Sequence, residues 1–119
     1  MSSRWEHEAR ATHNQDLFAH LTATAAGVFP DWEATSLFYV AVHLVEALLA
    51  VRGLHSRDHR ERRGHVMRYL PTAHAVYRQL EYLSRDARYA PEVSVTPQHL
   101  AEAVGWLQQV RAEVRRELP

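Results

Sequence analysis

The chain has 119 residues, 46% of them hydrophobic, with 14 basic and 14 acidic residues and a formal net charge of zero. That length points to a single domain over residues 1–119, and the charge balance excludes a polycation, so any nucleic-acid affinity must come from a local patch. No cysteine is present, which excludes disulfides, thiolate catalysis and zinc–thiolate sites and leaves histidine and carboxylate as metal donors.

The N-terminal stretch MSSRWEHEAR is polar and does not read as a secretory signal. Ser3 and Glu6 have the capping-box spacing, so a first helix starts there and runs to about Ala26, ended by Gly27 and Pro30. Asp31 suits the N-cap of a second helix from Trp32 to Arg52, with Gly53 at the C′ position. Asp58 and Glu61 suit the start of a shorter helix, about His59 to Leu70, stopped by Pro71. Thr72 opens a fourth helix reaching about Ala90, with Val76, Leu80, Leu83 and Ala87 on its inner face. Thr96 and Pro97 form an N-cap with proline at N1, and a fifth helix follows to about Glu117. Its inner face carries Leu100, Val104, Leu107, Val110 and Val114. No segment shows strand alternation. The expected fold is all-α: a four-helix up-and-down bundle with one additional short helix. His43 and Glu46 interrupt the best apolar run, which falls short of the ~18 residues of a membrane span. The expectation is a cytoplasmic protein without membrane contact.

The second helix, YVAVHLVEALLAVRG, is apolar nearly all round. Ser36, Tyr39, His43, Glu46 and Ala50 share one face of it and form a narrow polar seam. A buried charge must be paired, and three arrangements would satisfy this seam. In the first, His43 and Glu46 belong to a core hydrogen-bond network, with Glu46 on an arginine of another helix. In the second, they form a metal site with His55 and His59 as further nitrogen ligands. Di-metal bundles use His and Glu in this way, but they repeat the motif on a second helix, and no repeat occurs here. In the third, the seam meets the basic segment that follows and forms a polar site.

That segment, Arg52 to Arg68, holds six arginines, three histidines and two acids, a net charge of +4. All basic residues of the chain are arginine, whose planar fork suits phosphate. The segment covers a loop and the start of the third helix, a place that favours anions. Cross-pairing with Asp58 and Glu61 on a solvated surface is the alternative. Histidine as general acid or base and arginine as a clamp on the developing charge would also suit metal-free RNA cleavage. Arg85 and Arg88 lie one turn apart near the end of the fourth helix, where cations are favoured in any case. His7, His13, His20, His74 and His99 read as surface or cap residues.

The ordered set FYVAVHLVEALLAVRG, HSRDHRERR, LSRDARYAP and TPQHLAEAVGWLQQVRAEVRREL resembles the small prokaryotic HEPN proteins, over roughly Asp31 to Leu118. The resemblance implies a four-helix bundle that forms a homodimer. It also implies RNA or nucleotide as ligand, in some members through metal-independent endoribonuclease activity within toxin–antitoxin or defence modules. Other members only bind, or pair with a nucleotidyltransferase. Active members carry Arg, four to six residues, then His. Arg52 to His59, Arg60 to His65 and Arg68 to His74 all fit that pattern. Arg60 and His65 would be about 140° out of phase on a regular helix. His59 matches the histidine that opens the third helix in the family.

The resemblance therefore favours His59 and Arg60 as catalytic, with His65 as rival and Glu46 orienting an arginine, Arg60 or Arg88. Arg52, Arg57, Arg62, Arg63, Arg88, Tyr89 and His43 are the candidate nucleotide or RNA contacts. No cofactor is expected. Catalysis, non-catalytic binding of a nucleotide or partner protein, and a His/Glu metal site remain three separate expectations.

Overall fold

The most apolar segment of the chain becomes its central helix. In the computed structural model, which describes residues 2–119, α2 spans Pro30–Val51 and packs against α1 (Arg4–Thr24), α4 (His74–Tyr89) and α5 (Pro97–Glu117). The short α3 (His59–Tyr69) lies against α4. A single 3-10 turn, Pro71–Ala73, joins α3 to α4. The protein is all-helical, with no strand among the described residues.

Local chemistry sets the boundaries. Ser3 and Glu6 close the capping box of α1: Ser3 Oγ accepts from the Glu6 N–H, and Glu6 accepts from the Ser3 N–H. The start of α2 differs from expectation. Phe29 is the N-cap and Pro30 takes N1, where its missing N–H costs nothing, so Asp31 falls inside the first turn. There its charge, with that of Glu33, faces the positive end of the helix dipole. At the other end Gly53 takes φ +73°. The Leu54 N–H reaches the Leu49 carbonyl at 2.8 Å and the Gly53 N–H reaches Ala50 at 3.1 Å, a Schellman turn. Asp58 caps α3 by accepting from the Glu61 N–H at 2.8 Å. Pro71 and Thr72 fall in the 3-10 turn, so α4 opens at His74 and not at Thr72. In α5, His99 takes the place that Glu or Gln holds in a capping box: its Nδ1 accepts from the Thr96 N–H at 3.1 Å.

Fifteen of the 22 residues of α2 are buried. By length and composition α2 could cross a bilayer, contrary to the expectation that no run would suffice, but the other helices cover it. Phe38, Leu48, Leu49, Val66, Tyr77, Leu80 and Val110 are the centre of the core. The inner face of α4 is Tyr77, Leu80, Glu81 and Ser84, whereas the expected Val76, Leu83 and Ala87 are only half-buried. Tyr77 meets the Phe38 ring at 5.7 Å and Glu81 turns to Arg63, so α4 presents polar groups where aliphatic spacing alone predicted none. On α5, Ala103, Leu107, Val110 and Val114 are buried, with Leu100 and Val104 half-buried beside them.

Candidate functional site

The seam on α2 is completed by the turn at Gly53. The turn reverses the chain and lays His55 and Ser56 back over Glu46, which is 3% exposed. Glu46 Oε1 accepts from the Ser56 N–H at 3.1 Å, and Oε2 accepts from Arg62 Nε at 3.0 Å. Burial alone would raise the Glu46 carboxyl, but hydrogen bonds from Ser56 and the Arg62 charge hold it below its usual range. Arg62 lies one turn after His59 on α3, and its Nη1 meets His59 Nδ1 at 2.8 Å. A guanidinium can only donate, so Nδ1 of His59 accepts and the neutral ring carries its hydrogen on Nε2. Burial and the Arg62 charge lower the His59 pKa, which favours that neutral form.

The opposite side of the seam holds a second pair. Nδ1 of His43 and Nδ1 of His7 on α1 are 3.0 Å apart, and the rings stack at 5.3 Å. Without an ion between them, one ring must donate and the other accept. Burial pushes His7 down and His43 down to about 4. His55 Nδ1 is 3.5 Å from Glu46 Oε1. One donor atom from each of His7, Glu46 and His55 lies within 4.8 Å of the other two. His7, expected on the surface, is therefore a buried member of the seam. His59, expected among possible metal ligands, is turned to Arg62 instead.

The arginines divide sharply. Glu46 holds Arg62, not Arg60 or Arg88. Arg60 is exposed, with no ion pair or side-chain hydrogen bond among the described residues, so His59 and Arg60 do not converge although they adjoin in sequence. His65 Nδ1 is bound to Ser56 Oγ at 2.9 Å, where it braces the loop. Arg52 pairs with Glu117 at 2.8 Å, and Arg57 pairs with Glu61 at 2.8 Å. Arg63 pairs with Glu81 at 2.9 Å. Arg88 donates to the Ser84 carbonyl at 3.2 Å and to the Tyr39 hydroxyl at 3.4 Å, and has no carboxylate partner among the described residues. It lies over the Tyr39 ring at 5.7 Å and the Tyr89 ring at 5.3 Å.

Some of these groups line a cleft of about 330 Å³ where α2, α3 and α4 meet. Tyr39, His59, Arg63, Arg85, Arg88 and Tyr89 face it, with Glu81 on Arg63. A second depression of about 450 Å³ shares Tyr39, Arg88 and Tyr89 and adds Leu17 and the exposed Trp32. One end is thus cationic and the other aromatic. The sequence reading missed His7, Ser56 and Trp32. His7, Ala11 and Phe18 follow spacings of 4 and 7 on α1, so an inward stripe carrying His7 could have been found. No local pattern announces Ser56, which the Gly53 turn brings into place.

Comparison of the chain with protein-family models, with curated proteins and with solved structures finds no match among them.

Proposed function

We propose that the chain is a HEPN-type module, a four-helix up-and-down bundle with α3 as the additional short helix, that binds RNA or a nucleotide in the cleft between α2, α3 and α4. The observation that carries the reading is Arg88. It is a guanidinium without a carboxylate partner among the described residues, placed between two tyrosines and facing a cleft that also holds Arg85 and the Arg63–Glu81 pair. A phosphate would gain charge-assisted hydrogen bonds there. A base would stack on Tyr89 or Trp32, which are 75% and 52% exposed, at a stacking gain of about 1–3 kcal/mol. His59 contributes a hydrogen-bond donor through Nε2.

Binding fits this geometry better than cleavage. A general base needs a free ring nitrogen and a general acid needs an imidazolium. The Nδ1 of His59 is occupied by Arg62, and its lowered pKa opposes protonation. The expected homodimer, nucleotidyltransferase partner and toxin–antitoxin setting belong to the same family reading.

Fluorescence anisotropy with labelled single-stranded RNA and with ATP tests the proposal. Arg88→Ala should weaken binding at least tenfold and flatten the salt dependence, by a slope of about 0.7 for each single-strand phosphate that is no longer neutralised. Arg60→Ala should change little. Absence of binding to both probes, or equal binding by Arg88→Ala, refutes the cleft. Chelator-resistant cutting of the RNA that vanishes in His59→Ala would replace binding by catalysis.

A further inference from the structure

We infer that His7, Glu46 and His55, with His43 beside them, form a binding site for one divalent transition-metal ion of the zinc class. This site is distinct from the cleft and does not depend on it. The objection raised by the sequence was the lack of a second ligand-bearing helix, and α1 supplies one through His7. The donors come from three separate segments: α1, α2 and the loop after Gly53. One donor atom of each lies within 4.8 Å of the others.

Bonds of about 2.0–2.2 Å to a tetrahedral ion place donors about 3.3 Å apart. His55 Nδ1 and Glu46 Oε1 are already at 3.5 Å, and His7 Nδ1 and His43 Nδ1 at 3.0 Å. The His55–Glu46 spacing already suits an ion, so closing the cluster asks chiefly that His7 come nearer to that pair, from within 4.8 Å. The Glu46 carboxylate is held through its other oxygen by Arg62, as outer partners hold metal-ligating carboxylates. Imidazole and carboxylate donors without thiolate suit zinc, cobalt or nickel, and poorly suit calcium or magnesium, which prefer all-oxygen shells. The exposed side at His55 leaves room for water as a further ligand.

The test uses the untagged 119-residue chain after chelator treatment. Isothermal titration with zinc and with cobalt should give one ion per chain, and cobalt should develop the visible absorption of a low-symmetry site. His55→Ala should weaken binding at least tenfold with an unchanged circular-dichroism melt, since His55 is exposed. His7→Ala should also weaken binding at least tenfold, with a lower melt because His7 is buried against His43. His13→Ala and His20→Ala, exposed on the same helix, should bind as the parent does. No stoichiometric uptake of either ion overturns the inference, as does full affinity in His55→Ala or an equal loss in His13→Ala. Each of those results leaves nucleotide binding at the cleft to stand or fall by the Arg88→Ala measurement.

Discussion

Replacing Arg62 by alanine tests whether the Glu46–Arg62 pair is the structural axis of the molecule. Both side chains are nearly enclosed, at 3% and 10% exposure, so the pair is screened by neither water nor salt. Arg62→Ala leaves the carboxylate with the Ser56 N–H as its remaining close donor. Removing one partner of a buried pair costs about 3–5 kcal/mol, a large share of the ~5–15 kcal/mol by which a domain is stable. With a urea m-value of roughly 1.5 kcal/mol/M, the midpoint should fall by about 2–3 M. The pH dependence should also change sign. In the parent chain the Glu46 carboxyl is held below its usual range, so its contribution is complete above that range and lost as pH falls beneath it. Without Arg62 burial should dominate and raise the carboxyl, so the variant's deficit should shrink as pH falls and Glu46 takes up a proton. Urea titrations of both chains at neutral and mildly acidic pH measure this. A midpoint shift under about 0.5 M, the size expected of an exposed pair, would refute the reasoning.

The His7–His43 pair gives a second acid sensitivity. His43 titrates near 4 in the folded chain against 6.5 ordinarily, so its contribution is full above pH 6.5 and drains away as pH falls towards 4, by up to about 3 kcal/mol. His43→Gln should lose that part of the slope, and a parent chain no less stable at pH 4.5 than at 7.5 would contradict the assignment. Gly53→Ala should cost about 1 kcal/mol, because Gly53 has positive φ and no neighbour lies within 4 Å of the added methyl. With no steric contact to add to it, that backbone cost is what its thermal melt against the parent measures.

Five helices and most of their caps could be read from the chain because helix signals are local: Ser3, Asp58, Thr96 and Gly53 act within a turn or two of where they stand. The misplaced starts of α2 and α4 have a common cause. Each lies next to a proline, and Pro30 and Pro71 read in the sequence as ends of the preceding helix although they open the next element. The site was harder to read. Glu46 was recognisable as a buried acid needing a cation, but the chain offers 14 arginines, and only the three-dimensional path chooses Arg62. Arg60 and Arg62 look alike in sequence. They are about 200° apart on α3 by helix geometry, and that rotation puts one in solvent and the other on Glu46. His7 was missed because its stripe is short and small: on the polar α1 only Ala11 and Phe18 mark the inward side with it.

That same helix has a kinetic consequence. α1 runs for 21 residues yet buries only His7 and Ala11, and its main packing partner is α2. Most of its own side chains stay in solvent, so its amides should exchange through local opening before those of the enclosed α2. Each such opening takes His7 from His43. The α1 side of the seam should therefore open more readily than the Glu46–Arg62 pair, which is enclosed between α2 and α3.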